Sequence, residues 1–155
     1  MANNVGQVTA LTVITPIIPE KLSNLKMILA GIQADPSTSI AKIATIHFAR
    51  WVIIDDETRL LFTSNFDGLF EDYIQDFVRE TPEGLDQIWE NCEGYPGSIP
   101  IDSFFDYINQ YKFDNNTFYA AYPHLTVPDI QNCEKWREAS RKIVGPMQQF
   151  LTDVS

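Results

Sequence analysis

The segment from Thr45 to Gly68 constrains the fold more than any other part of the chain. It reads TIHFARWVIIDDETRLLFTSNFDG, with two runs of β-branched and aromatic residues on either side of the acidic link Asp55–Thr58. Residues of these types favour strands, and so short a link can join only antiparallel strands. We therefore predict an antiparallel hairpin, with one strand over Ile43–Ile54 and the next over Arg59–Phe66.

The order of the remaining elements indicates the fold class. We predict a first strand over Val8–Ile14, a fourth strand over Thr117–Tyr122, and helices over Pro19–Gln33, from near Asp67 to Thr81, over Glu83–Cys92, over Ser103–Tyr111 and from near Thr126 onwards, the last broken or kinked at Gly145-Pro146. This order matches the split βαβ, ferredoxin-like pattern. We expect one α+β domain over residues 1–155, with a four-stranded antiparallel sheet, helices on one face of the sheet and an extra C-terminal helix.

The first strand of the hairpin is apolar on both faces. Its even-numbered positions include Phe48 and Val52, and its odd-numbered positions include Trp51 and Ile53. A sheet with one face in water alternates apolar and polar residues instead. Exposure of Trp51, Ile53 and Leu61 would create a large apolar patch, which monomers rarely tolerate. We therefore expect a second copy of the chain to cover the open sheet face, giving a homodimer.

Composition excludes several classes of partner. The net charge of −10 disfavours nucleic acids and anionic membrane surfaces. No apolar run approaches the ~18 residues of a membrane-spanning helix. The two cysteines, Cys92 and Cys133, lack the spacing of a zinc site or a disulfide framework. We expect no metal site and a cytoplasmic location.

The hairpin carries the main candidate site residues, His47, Arg50, Asn65 and Asp67. In one register His47 faces Asp67, which would orient an imidazole as a general base; in the other, Arg50 faces Thr63. Alternatively, Asp67 caps the following helix and His47 is a core or interface residue. Arg50 would bind a ligand carboxylate or pair with an internal acid, and Asn65 would contact the same ligand.

Two further candidates lie outside the hairpin. Tyr95 belongs to the turn NCEGYPG, from which its hydroxyl group could contact a ligand over the sheet. His124 follows the predicted fourth strand at a strand–helix junction, where ligand-facing residues often lie. A surface or capping role is the alternative for His124.

The segments IHFARWVIIDD, LLFTSNFDG, IWENCEGYPG and FYAAYP resemble a bacterial family of small ferredoxin-like proteins. The resemblance covers most of the chain, and related sequences are sometimes labelled peroxidase or dye-decolorising-peroxidase-like. It implies a dimeric α/β-barrel, in which two sheets pack face to face and a small ligand or haem lies between sheet and helices. If haem is bound, either His47 or His124 could serve as its proximal ligand. The GxxDG motif of dye-decolorising peroxidases is incomplete, because Ser64 stands at the first glycine before Asp67-Gly68.

Three functions follow from these observations. The first is a homodimeric ligand-binding or accessory module, without a cofactor, whose cavity beside the hairpin holds a small hydrophobic or carboxylate ligand. The second is a small oxidoreductase, either haem-dependent and peroxidase-like or similar to cofactor-independent monooxygenases. The third is a purely structural or interaction protein.

Overall fold

The predicted hairpin forms one side of an antiparallel sheet. The computed structural model describes residues 3–35 and 39–153, and in it β3 (Ile46–Ile54) pairs with β4 (Arg59–Asp67). The other edge of β4 pairs with β2 (Val8–Pro16). Two short strands, β1 (Asn4–Val5) and β5 (Lys112–Phe113), both pair with β2 on its far edge, so the sheet of the described chain has five strands.

The turn of the hairpin selects one of the two predicted registers. The Thr58 N–H donates to the Asp55 carbonyl oxygen at 3.1 Å, and the two central residues, Asp56 and Glu57, have φ of 50° and 67°. Positive φ at both positions is what the common two-residue hairpin turn requires. Arg50 therefore lies opposite Thr63, and the register that sets His47 opposite Asp67 is wrong.

Four helices share a core with one face of the sheet: α1 (Leu22–Ala34), α2 (Phe70–Glu80), α3 (Pro82–Trp89) and α4 (Ile101–Tyr111). Alternate residues of β2 and β4 point into this core because side chains alternate between the faces of a strand. Its members include Leu11, Val13, Leu60, Phe62 and Phe66 of the sheet, and Leu25, Tyr73, Phe77, Trp89, Phe104 and Ile108 of the helices.

The observed sheet differs from the predicted one at its edge, because it has five strands rather than four. Residues 117–122 form no strand. β1 and β5 already occupy the edge of β2 on which a fourth strand would pair, so residues 117–122 lie against the sheet as an irregular segment. This segment is fixed by Pro123, whose carbonyl oxygen accepts the Gln7 N–H at 2.7 Å.

The two faces of β3 also differ from our prediction. Trp51 belongs to the core, with its ring centroid 5.1 Å from that of Phe62 and 6.5 Å from that of Trp89. Ile53 packs against the same core. The opposite face, which we call the outer face, carries Phe48 and Val52, exposed to 75% and 36%, together with Arg50. The expectation that Trp51 and Ile53 belong to the second face is therefore wrong.

The last helix, α5, runs from Val127 to Asp153. It continues through Gly145-Pro146 instead of breaking there. Residues 131–142 are all exposed, so this part of α5 makes no extensive contact with the rest of the described chain. Within residues 3–35 and 39–153, no helix combines the length and apolar character needed to cross a membrane.

Candidate functional site

A β-bulge at His47 brings its side chain to Asp67. Ile46 pairs with Phe66 and Phe48 pairs with Asn65, so His47 is the extra residue of β3. Such a bulge redirects a side chain relative to the regular strand. The His47 Nε2 atom lies 2.7 Å from Asp67 Oδ1, and each side chain is only 10% exposed. The His47–Asp67 contact therefore forms even though the register that predicted it does not.

The second carboxylate oxygen of Asp67 anchors the start of α5. Oδ2 accepts the backbone N–H of Val127 at 2.7 Å. A carboxylate at this position satisfies an unpaired helix N–H and interacts favourably with the positive end of the helix dipole. The prediction that Asp67 caps α2 is wrong, because Leu69 occupies the N-cap position of that helix.

A second interaction caps α5 locally. The Thr126 hydroxyl group lies 2.6 Å from Asp129 Oδ2, and the Thr126 backbone N–H donates to the same oxygen at 3.0 Å. The Asp129 N–H in turn donates to the Thr126 hydroxyl oxygen at 3.3 Å. This is the reciprocal pattern of a capping box. The hydrogen bonds from Thr126 hold the pKa of Asp129 below its usual value.

A groove of about 520 Å³ lies beside the His47–Asp67 pair. Its apolar walls are formed by Val8, Ile46 and Phe48 of the sheet, by Phe118, Tyr119, Ala120, Ala121, Tyr122 and Leu125 of the segment before α5, and by Val127 and Ile130 of α5. The polar lining residues are His47, Asn65 and Gln131. The groove therefore offers a mostly apolar surface with polar groups at a few points.

Charge limits what this groove can bind. Of the described residues that line it, none is Lys or Arg. A free carboxylate moved into an apolar environment needs a positive partner or several hydrogen-bond donors. The lining therefore suits a neutral ligand better than an anion.

Arg50 lies outside this groove. Its side chain is exposed on the outer face, and it lines a neighbouring groove of about 460 Å³ together with Leu29, Ile32 and Ala41. Within the described residues, no carboxylate lies within ion-pair distance of its guanidinium group. His47 and Phe48 line both grooves, so Arg50 is adjacent to the site without being part of it.

Tyr95 and His124 lie away from the groove lining. The Tyr95 hydroxyl group donates to Asp86 Oδ1 at 2.7 Å, and its ring packs against Phe104 and Tyr107. Burial, reinforced by the Asp86 carboxylate, raises the pKa of Tyr95 above its usual value. His124 is exposed, in the turn closed by the Leu125 N–H and the Tyr122 carbonyl oxygen. The structure thus brings together His47, Asp67 and Asn65, and places Tyr95 and His124 elsewhere.

Sequence reasoning missed the aromatic wall of the groove. Phe118, Tyr119 and Tyr122 belong to the segment that we predicted as a strand. The available signal was the density of aromatic residues in FYAAYP, directly before a helix.

Comparison with family models, with curated proteins and with solved structures finds no match for this chain.

The groove does not fit haem, the alternative cofactor that the sequence resemblance implies. His124, one of the two expected haem ligands, is not among the lining residues. Haem propionates would find no Lys or Arg among the described lining residues. In the described part of the chain, no group of three or more His, Cys, Asp or Glu residues is placed to hold a metal ion.

Proposed function

We propose that the groove binds a small, neutral and largely apolar ligand, and that the chain acts as a homodimeric ligand-binding or accessory module. One observation carries the proposal: the His47–Asp67 pair lies at the wall of a groove that is otherwise mostly apolar. The groove volume of about 520 Å³ is typical of small-molecule sites, which span about 300–1,000 Å³. In such sites a few polar groups fix the orientation of the ligand.

Two polar groups are available to a ligand. Asp67 uses one oxygen on His47 and the other on Val127. The side-chain amide of Asn65 and the second ring nitrogen of His47 have no hydrogen-bond partner within the described chain. They suit one hydroxyl or carbonyl group of a ligand, while Phe48 and Tyr119 offer aromatic faces to its apolar part.

From the sequence we expected a hydrophobic or a carboxylate ligand; of these two, the groove favours the neutral, hydrophobic one. A ligand with a carboxylate would reach a positive charge only at Arg50, in the neighbouring groove beyond Phe48. Such a ligand would have to span both grooves. A neutral compound that fills the main groove alone is the simpler fit.

The same pair supports a second candidate function, acid–base catalysis on the ligand without a cofactor. His47 would accept a proton from a ligand hydroxyl group, and Asp67 would stabilise the imidazolium ion that forms. The ligand would become an anion, and the Asn65 amide could donate a hydrogen bond to it. Cofactor-independent monooxygenase-like oxidoreductases would begin with such a step.

Strand order supports a ferredoxin-like assignment. β4 lies between β2 and β3, the parallel strands that α1 connects, and this is the arrangement of a split βαβ unit. β5 lies beside β2 in the place of the fourth strand. A homodimer of the dimeric α/β-barrel type would bring the outer faces of two sheets together.

Titration with Nile red, a neutral fluorescent probe of apolar sites, tests ligand binding. We expect saturable binding that Phe48→Ala weakens ~10-fold, because contact between the bound probe and the exposed Phe48 ring contributes about 1–2 kcal/mol. Phe113→Ala is the matched control, since Phe113 is 50% exposed and lies outside the groove lining. No binding by the unmodified protein, or equal losses in both variants, would contradict the proposal.

The two histidines supply a second matched pair. His47→Gln should weaken binding of a phenol, detected by the change in phenol fluorescence, whereas His124→Gln should not, because His124 is exposed and outside the groove lining. Equal affinity in the two variants would remove His47 from the site.

A further inference from the structure

α5 extends away from the domain that anchors it. Only Val127, Ile130 and Gln131 at its start line the groove, whereas residues 131–142 are all exposed. Trp136 is exposed to 75%. At 27 residues the helix is about 40 Å long. Most helices in proteins gain their stability by packing an apolar face against another surface, and residues 132–142 have no such surface in the described chain.

The exposed part of α5 places Trp136 between two basic residues. Cys133, Trp136 and Ser140 follow one another at intervals of three and four residues, and so lie on one helix face. Lys135 and Arg137 lie on either side of Trp136, each about 100° around the helix from it. Glu134 and Glu138 fall on the opposite face by the same helical geometry. A face of this kind suits an apolar surface with an acidic surround.

The remainder of the chain has the complementary charge. α5 contains four of the eleven basic residues and four of the twenty-one acidic residues, so the rest of the chain carries the whole net charge of −10. Within residues 130–142, four basic residues outnumber two acidic ones. Residues 130–142, which we call the arm, thus have a local positive charge and are joined to a strongly acidic domain.

The outer face of the sheet has the complementary apolar surface. Phe48 and Val52 are exposed there on either side of Arg50, and Ile14 and Leu61 are partly exposed on the neighbouring strands. A nine-residue strand such as β3 is about 30 Å long, which is long enough to seat the exposed span of α5. The acidic turn Asp55–Glu57 lies at one end of this face.

We propose that α5 of one protomer packs on the outer face of the sheet of a second copy, with Trp136 against Phe48 and Val52, and that the second copy returns the same contact. Reciprocal exchange of this kind between two copies gives a closed dimer with two-fold symmetry. α5 is a continuous helix from Val127, so it cannot fold back onto its own sheet without breaking. Phe48 lies on the groove, so the partner's arm would also cover that site.

This inference rests on the homodimer of the proposed function, but it places α5 of the partner, rather than the partner's sheet, on the outer face. It predicts a mass near twice 17.7 kDa for the full chain by size-exclusion chromatography with light scattering. Trp136→Glu and Phe48→Glu should each raise the dimer dissociation constant ~30-fold or more, as expected of interface hot spots. Glu138→Gln, on the opposite face of α5, should leave the constant unchanged.

Mixing the two variants gives the decisive measurement. Trp136→Glu retains an intact receiving face and Phe48→Glu retains an intact arm, so a mixture can form one of the two contacts. We expect a tagged Trp136→Glu protein to retain untagged Phe48→Glu protein, while neither variant retains itself. Both sites are exposed, and circular dichroism checks that the variants fold.

The alternatives give different results. If sheets pair directly, Phe48→Glu dissociates the dimer and Trp136→Glu does not. If α5 pairs with α5, Trp136→Glu dissociates the dimer and mixing restores nothing. A monomeric unmodified protein would overturn both the arm exchange and the homodimer. Nile red binding by the monomeric Trp136→Glu variant would show that the groove proposal survives loss of the dimer.

Discussion

The carboxylate of Asp67 accepts the backbone N–H of Val127, 60 residues further along the chain, at 2.7 Å. Its other oxygen lies 2.7 Å from His47 Nε2. One side chain thus connects the bulge in β3, the end of β4 and the start of α5. The groove lies at this junction, so the candidate ligand site and the base of the α5 arm depend on the same anchor.

Removal of this anchor should destabilise the protein. Asp67→Ala leaves the His47 ring and the Val127 N–H without their partner, and we expect a loss of about 2–4 kcal/mol in the free energy of unfolding. Asp72→Ala is the matched control, because Asp72 is an exposed acid in the first turn of α2. Urea denaturation at neutral pH measures both values. Equal midpoints for the two variants would show that the anchor contributes nothing.

The hairpin could be predicted from the sequence, but its register could not. Two runs of strand-forming residues and a short link suffice to specify an antiparallel pair. The link DDET contains no glycine, yet Asp55, Asp56 and Glu57 all adopt positive φ. The bulge at His47 depends on contacts with Asp67, whose own position depends on Val127. Such long-range dependence leaves no local sequence signal.

The candidate site could likewise be predicted only in part, because some of its residues are brought together by contacts between distant parts of the chain. His47, Asn65 and Asp67 follow from the hairpin, so their proximity was foreseeable. The aromatic wall could not be predicted, because the residue types in FYAAYP favour a strand. The segment forms no strand because β1 and β5 occupy the edge of β2 on which it would pair. The assignment of Trp51 to the second face was wrong because β3 is apolar on both faces. The face that becomes part of the core is the one against which the helices pack.

The buried Tyr73 should make stability fall at alkaline pH. Burial raises the pKa of Tyr73, and a hydrogen bond with Ser64, 2.5 Å long, offsets part of that rise. Because the folded state holds the phenol proton more tightly, its contribution is complete below the unfolded pKa of about 10 and is lost as pH rises above it. Tyr73 alone should contribute about 1.4 kcal/mol per pH unit to the slope of stability against pH.

Tyr73→Phe should reduce this slope by about that amount, because Tyr95 and Tyr107, whose pKa values burial also raises, remain. Urea denaturation at several pH values between about 9 and 11 would measure it against the unmodified protein. Tyr122→Phe serves as control, since Tyr122 is 71% exposed and should leave the slope unchanged. Identical slopes in the unmodified protein and Tyr73→Phe would contradict the burial argument.

Salt should weaken the proposed dimer. If Lys135, Arg137 and their basic neighbours face the acidic domain of the partner, screening removes part of the attraction as the Debye length falls from about 10 Å at 0.1 M to 3 Å at 1 M. We expect the dissociation constant to rise ~3–10-fold over that range. Lys135→Gln with Arg137→Gln should reduce the salt dependence, whereas Lys42→Gln, outside α5, should not. A dimer that tightens with salt would indicate an apolar interface without charge complementarity.

A glycine behind the aromatic wall gives a test of the groove that leaves its lining residues intact. Gly6 has φ of +64°, and a Cβ atom there would overlap the carbonyl oxygen of Pro123. Gly6→Ala should therefore displace residues 117–123, cost about 1–3 kcal/mol in stability, and weaken Nile red binding. Gly31→Ala is the matched control: its Cβ would meet nothing within 4 Å, and α1 should gain up to about 1 kcal/mol. Unchanged Nile red affinity in a folded Gly6→Ala protein would show that the segment does not shape the binding site.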